Sequence, residues 1–555
     1  MQKKPLQKVA KERAIIRRSN GSMIETIKER QTEELVVALC GSLGSGTSTI
    51  ASKLSEIFST EYGYPVKIIK ISDLIEKHVD FVLQELKQDN FITDEYIGKI
   101  DFSKNIDWLD KSDRIALLQS AGNLLRKKYS KDVLAQLVIN EIALERDREE
   151  SEGKTVDGES AIDTENEERK SRRHITIIDS LKNPSEVKLL QIVYRNMFFL
   201  FGVLCPEEIR GTRLIYGKKI EQTKANQLMV RDKSEDEKYG QQLLKTIYHS
   251  EFFITNSNEN IDSLKPNLTR YIRMIMGDKS VTPTKEENAM FHAQSAAVRS
   301  GCLSRQVGAS IIDKDGNLIS TGCNDVPKAN GGLYTTEDGE DDSRCMFKYG
   351  GKCINQDEKE NIFNEIDSIL KAHLQSGDAI KKISEEIRKN QKLQSLIEFC
   401  RAIHAEMDAI TSVARNGGVS LKGASLFSTT FPCHNCARHI VAAGIKRVYY
   451  IEPYEKSLAL RLHKDSISFD KGQKESTDNN KVAFIPFEGV SPRKYLRLFQ
   501  AEDRKKDGVR ITEDPKTVKP ALPVLLETRY EYESKIVENL VAIGFLEADG
   551  QKLDH

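Results

Sequence analysis

His404-Ala405-Glu406, followed 26 residues after the glutamate by Pro432-Cys433-His434-Asn435-Cys436, constrains this chain more than any other stretch. One imidazole and two thiolates form a zinc ligand set that leaves a fourth position for water, whose pKa the metal brings down to about 7. Bringing three such ligands to one point demands a particular local fold, two helices with a strand between them. Ile397, Cys400, Ile403, Met407 and Ile410 recur at helical spacing, and Asn416-Gly417-Gly418 supplies a stop. His404 and Glu406 then fall within one turn, offset so that one can bind metal while the other faces a substrate. Ala424 to Thr429 reads as a strand. Pro432 opens a second helix through Val441, with Gly444 as its stop. Cys433 and Cys436 fall in that helix's first turn, where the dipole favours thiolates. Glu406 is left as a proton carrier rather than a ligand. The alternative is a structural zinc knuckle or a pair of buried free cysteines. A closed site would usually supply a fourth protein ligand, and Glu406 would have no task.

A chain of 555 residues is too long for one ordinary core, so two domains with linkers are expected. The 84 Lys and Arg balance the 84 Asp and Glu, which gives no electrostatic argument for nucleic acid or a membrane. No signal peptide is expected, and no apolar run approaches the ~20 residues of a membrane span. Nine cysteines in a chain of this length do not suggest a disulfide framework and fit a reducing cytoplasm. Residues 1–30 form a basic tail, with nine Lys or Arg against three Glu. A first α/β region spans 31–278, with a flexible, charged insertion expected over 145–173. A second region spans 279–510, and an extension with a helix of unknown role over Glu527–Ile543 fills 511–555.

In the second region, Val307–Ile312 and Asn317–Gly322 are expected strands joined across Asp315-Gly316. Helical segments follow near 356–374 and 378–400, then strands at Arg447–Ile451 and, as the last, Val482–Phe487. H-x-E followed by P-C-x-x-C is the signature of zinc nucleobase deaminases. The run from Cys302 through Val307-Gly308, the Thr321-Gly-Cys-Asn324 turn to Gly332, and His404-Ala-Glu-Met-Asp408-Ala-Ile410 resemble deoxycytidylate deaminases, which commonly have Asn at the position of Asp408. That resemblance implies a cytidine-deaminase-like α/β/α fold and deamination of dCMP or dCTP. It places Asn324 near the sugar, Arg305 near phosphate and Tyr454 near sugar or base. It also raises an additional structural zinc, to which Cys302 with Cys345 or Cys353 could contribute. Buried free cysteine is the plainer reading, since no C-x-x-C pair is present there.

In the first region, the apolar run Leu35–Cys40 leads into Gly41-Ser-Leu-Gly44-Ser45-Gly46-Thr47-Ser48, with further strands at Val66–Ile71 and Ile175–Ile178. The loop fits the phosphate-cradling pattern G-x-x-x-x-G-K-[ST], except that Thr47 stands where the lysine belongs. Backbone N–H groups could still hold phosphates, and Ser48 could hold Mg²⁺. What is missing is the cation over the β/γ-phosphates. Arg114 to Gly122, the strand ending at Asp179, Arg210, Arg213 and Ile254-Thr-Asn256 resemble small-molecule P-loop kinases. The resemblance implies a parallel-sheet P-loop domain in which Asp179 takes the second Mg²⁺ position and the two arginines belong to a lid. Without the lysine, nucleotide sensing is favoured over phosphoryl transfer.

The fold class expected is therefore α/β throughout, a P-loop kinase-like domain followed by a zinc deaminase domain. That pairing resembles the bacterial antiphage dCTP/dCMP deaminases. It implies depletion of dCTP during infection, a homo-oligomer, and restraint through the P-loop domain, an inhibitory RNA or a protein regulator. Two other readings stand beside it. One is a deaminase of single-stranded DNA or tRNA, which would favour a basic groove with aromatic platforms. The other is a nucleotide-sensing regulator without turnover, against which Glu406 speaks.

Overall fold

A computed structural model describes residues 31–86, 110–155, 172–233, 239–257, 261–394, 396–452, 457–469, 480–500, 504–512, 514–521, 524 and 526–546. The basic tail over 1–30, Tyr454 and the 156–171 part of the charged insertion lie outside them. The architecture is mixed α/β, built on two six-stranded sheets that are mostly parallel.

In the first sheet the strands are β1 (Leu35–Gly41), β2 (Val66–Lys70), β3 (Ile175–Asp179), β4 (Phe198–Leu204) and β5 (Phe252–Thr255), in the order β5-β4-β1-β3-β2. All four pairings among them are parallel. Every residue of β1 is buried, as expected where helices cover both faces of a parallel sheet. Successive residues face opposite ways. Val36, Ala38 and Cys40 join one core, while Leu35, Val37 and Leu39 join the other. The longer helices around this sheet are α1 (Thr47–Tyr62), α2 (Lys111–Lys128), α3 (Val133–Thr155), α4 (Pro184–Tyr194), α5 (Gln222–Lys233) and α6 (Lys265–Ile275). Helix α3 runs on to Thr155, well past the point where its apolar periodicity fades. Arg146 in that stretch is buried and bound to Glu34 and Glu533. Charge patterning alone marked it as loop because a paired buried arginine reads like a solvated one.

A coil follows α6, and Thr284 then caps α7 (Lys285–Ala297) in a reciprocal capping box with Glu287. The second sheet contains β6 (Gly308–Ile312), β7 (Leu318–Cys323), β8 (Ser425–Thr430), β9 (Arg447–Glu452), β10 (Ile467–Phe469) and β11 (Val482–Pro486), ordered β10-β11-β9-β8-β6-β7. Strands β6 and β7 form the antiparallel hairpin expected across Asp315-Gly316. The excursion between β7 and β8 holds α8 (Ile354–His373) and α9 (Gly377–Lys389). The single helix expected over 378–400 stops at Lys389, with one short turn beyond it.

Val482–Phe487 is not the last strand. A further short strand, β12 (Gly489–Val490), crosses to the first sheet and pairs antiparallel with β5. Val490 and Phe499 join Leu35, Val37 and Leu39 in their core. Helix α12 (Leu526–Ala542) lies against α3 and α4, and Leu540 and Phe545 complete the other core of that sheet.

Candidate functional site

The zinc motif folds as two helices on the second sheet, though not with the boundaries expected. Helix α10 spans Ala405–Asn416, with His404 as its N-cap residue in extended conformation. The preceding residues are not helical. Ile403 forms a β-bridge with Asp325, donating its N–H at 2.9 Å. The helical spacing of Ile397, Cys400 and Ile403 therefore reflects burial of a non-helical approach. In the same way α11 spans His434–Ala442, so Cys433 is the N-cap residue and Cys436 lies in the first turn. The Cys433 sulfur accepts from the Cys436 N–H, the capping bond that a serine hydroxyl usually makes.

These two helix starts bring three ligand atoms together. His404 Nδ1 lies 3.3 Å from both Cys433 Sγ and Cys436 Sγ. All three ligand atoms lie within 4.8 Å of one another, the only such group among the described residues. The electrostatics suit a cation. The Cys433 thiol is pulled down to about 4, first by its hydrogen bond from Cys436 and then, against burial, by His404. Cys436 is pushed up by that same bond and by burial, so the pair shares one negative charge. Contact with Cys433 raises the His404 pKa. Three soft or borderline donors with a strong pull toward charge compensation fit zinc.

Glu406 stands beside this group without joining it. It is 4% exposed, and burial raises its pKa above the usual carboxylate range. Ser428, buried on β8, donates its hydroxyl to Glu406 Oε1 at 3.3 Å. Asp408, one turn into α10, accepts from the Cys323 N–H at 3.1 Å and ties the helix to the end of β7. Nothing in the sequence singled out Ser428, which reads as an ordinary inward strand residue. Asp408 looked only like a departure from the family pattern.

Two glycines let α10 and α7 sit so close to the sheet. A Cβ on Gly322 would fall 2.3 Å from the Ala405 carbonyl and 2.4 Å from the Ala409 nitrogen. A Cβ on Gly308 would fall 1.9 Å from the Ala293 carbonyl of α7.

The substrate residues expected from resemblance are largely engaged by the protein itself. Asn324 accepts from the Val307 N–H at 2.6 Å and donates to the Arg305 carbonyl at 2.7 Å, which shapes the 305–307 turn. Arg305 is ion-paired with Glu452. Cys302, Cys345 and Cys353 do gather, together with Cys400, around a cavity of only about 20 Å³. Their sulfurs do not close into a ligand group of the kind His404 and its partners form.

The glycine loop lies at the carboxyl end of β1, the central strand, where the chain order changes direction and α/β sheets bind ligands. Gly46 has φ +85° and serves as N-cap of α1, and a Cβ there would meet the Asn256 amide at 2.4 Å. Leu39 is in register with Asp179, so the acid stands beside the loop, and the Ser48 hydroxyl donates to Asp179 Oδ2. Gly41, Gly44, Gly46, Thr47, Ser48 and Asp179 all line one cavity of about 1300 Å³. Ser45 is fully buried beneath them. Arg213 also lines this cavity, whereas Arg210 is buried beside the loop. Arg210 donates to the Leu43 carbonyl, and Arg213 to those of Gly44 and Ser45, so both brace the loop.

Comparison with known proteins bears on the second region. Residues 283–452 match the family described as cytidine and deoxycytidylate deaminase zinc-binding region. The deoxycytidylate deaminase of Enterobacteria phage T4 is 34% identical over 161 residues, 28% of this chain and 72% of its own. That of Mycobacterium phage D29 is 27% identical over 168 residues, 30% of this chain and 94% of its own. ComE operon protein 2 of Bacillus subtilis is 47% identical over 55 residues, 10% of this chain and 29% of its own.

Proposed function

Because the chain belongs to the deoxycytidylate deaminase family, we propose that it hydrolyses a free deoxycytidine nucleotide, dCMP or dCTP, to the uracil nucleotide and ammonia. The observation that carries this reading is the buried Glu406 beside the His404–Cys433–Cys436 group. Those three residues would hold zinc, which when bound supplies Lewis-acid activation of water. Glu406 would take one proton from the attacking water and pass it to the ring nitrogen, then take the second from the hydroxyl left on the ring carbon and deliver it to the amine, which departs as ammonia. Its raised pKa suits a carboxyl group that must hold a proton in mid-reaction, and Ser428 fixes its orientation. Asn324 and Arg305 shape the neighbouring turn, whose exposed Arg305 could exchange Glu452 for a substrate phosphate.

The first region we read as a P-loop kinase-like unit that binds a nucleotide with Mg²⁺ and regulates the deaminase. The support is Ser48 against Asp179 at the mouth of the large cavity. A defensive role by depletion of dCTP, a homo-oligomeric assembly and restraint by an inhibitory RNA or protein follow from the pairing of the two regions. Nine free thiols fit a reducing cytoplasm. No helix among the described residues is long and apolar enough to cross a membrane.

The test is a substrate panel. The purified zinc-loaded chain is incubated with dCMP, dCTP, CTP and a cytosine-containing oligonucleotide, and uracil and ammonia are followed. Turnover of a free deoxynucleotide is expected. Turnover of the oligonucleotide alone would overturn the reading in favour of a polynucleotide deaminase.

A further inference from the structure

The glycine loop lacks its lysine, yet cations surround the cavity it borders. Most of them are already engaged. Lys182 donates to the Gly41 carbonyl and to Asp232, both at 2.7 Å, while Asp232 also accepts from the Leu43 N–H. Arg213 is held by the loop's own carbonyls, and Arg114 is paired with Glu76. Lys218, like Lys70 and Lys111, lines the cavity and makes no ion pair or side-chain hydrogen bond among the described residues, and of the three it is the one that follows the segment carrying Arg213. Its electrostatic neighbours are Lys111 and Arg114, then Asp179 and Lys182. Lys218 is exposed where it lines the cavity. Lysines and arginines outnumber the acids along this cavity, which suits an anionic ligand.

A second observation points to a ligand there. Asp179 is 6% exposed, and its Oδ1 has no hydrogen-bond partner although Oδ2 receives the Ser48 hydroxyl. A buried carboxylate oxygen left bare carries the cost of its lost hydration, which a bound cation would recover. A phosphate chain carrying Mg²⁺ satisfies both ends of this arrangement at once. The metal would meet Ser48 and Asp179, the loop N–H groups would take the phosphate oxygens, and the lysines would neutralise the remaining charge.

We propose that Lys218 supplies, from the segment after Arg213, the phosphate-neutralising charge that Thr47 cannot, so that the cavity takes a magnesium-bound nucleoside triphosphate. The inference rests on the nucleotide-binding reading of the first region and adds the group that makes it work without a loop lysine. In such a site the charge is carried by a segment outside the loop. Nucleotide binding would therefore draw that segment onto the phosphates, whereas a loop lysine would leave it free.

The experiment is calorimetric titration of the full chain with Mg·ATP and Mg·GTP, with zinc content and thermal midpoint as controls. Lys218→Ala should weaken binding by about tenfold or more, as loss of a charge-assisted phosphate contact does, and leave both controls unchanged. Adding Thr47→Lys to Lys218→Ala should restore most of the affinity by returning the charge to the loop. Equal affinity of wild type and Lys218→Ala would overturn the role of Lys218 while leaving nucleotide binding intact. So would a double variant as weak as Lys218→Ala. If the wild type binds neither nucleotide, the reading of the cavity itself falls, and Lys218 with it.

Discussion

Glu406 occupies a place where a carboxylate is expensive, since it is 4% exposed and burial favours its neutral form. That cost makes sense for a residue that must receive and return a proton beside a metal. It also gives weight to Ser428, whose hydroxyl meets Glu406 Oε1. Ser428→Ala should lower kcat by about five- to tenfold, the worth of one hydrogen bond to a charged group, with zinc content unchanged. Steady-state kinetics alongside metal analysis would show it. The His404, Cys433 and Cys436 group and the neighbouring Glu406 were legible in the sequence because four residues at fixed spacing encode them. Ser428 was not, because its task depends on which strand faces α10. Asn324 was legible as a special residue, and its amide holds the 305–307 turn at both ends.

The elements that carry the site depend on close approach. Gly322 brings α10 so near β7 that a methyl group would overlap the Ala405 carbonyl, one residue from the His404 ligand. Gly322→Ala should therefore shift the helix start, lower zinc occupancy and destabilise the region by about 1–3 kcal/mol, the usual cost of overpacking. Metal analysis with thermal unfolding measures both effects. The strand assignments survived well because buried parallel strands are apolar runs. The helix starts did not, since Ile403 and Cys433 are spaced like helical residues but serve in a bridge and a cap. The terminal helix α12 had no assigned role from sequence. In the fold, Glu533 meets the buried Arg146 at 2.6 Å, and Phe545 stacks on Phe81 with centroids 4.6 Å apart. Glu533→Ala leaves Arg146 with Glu34 as its carboxylate partner at a longer 3.4 Å. It should cost about 3–5 kcal/mol, as breaking a buried pair does, read from denaturant unfolding.

Across the whole molecule, the two sheets are joined by more than a linker. Strand β12 adds itself to β5, and Glu287 at the start of α7 accepts from the Val490 N–H and from Arg270. Ser491 N–H donates to the Glu251 carbonyl at the other end of the same crossing. The sheet carrying the glycine loop and the sheet carrying the His404–Cys433–Cys436 group are thus linked directly, since β12 follows β11 of the second sheet and pairs with β5 of the first, which is the physical route the proposed regulation would use. That crossing was invisible in the sequence, because two residues of a short edge strand carry no periodicity of their own. The coupling of the regions matters only if the second is a working deaminase. The most direct test compares wild type and Glu406→Ala, both shown to hold zinc, for conversion of dCMP or dCTP to the uracil nucleotide. The wild type should turn over and the variant should fall by at least about 10²–10⁴-fold with its zinc retained. Equal rates in the two proteins, or no turnover by the zinc-loaded wild type, would contradict the account.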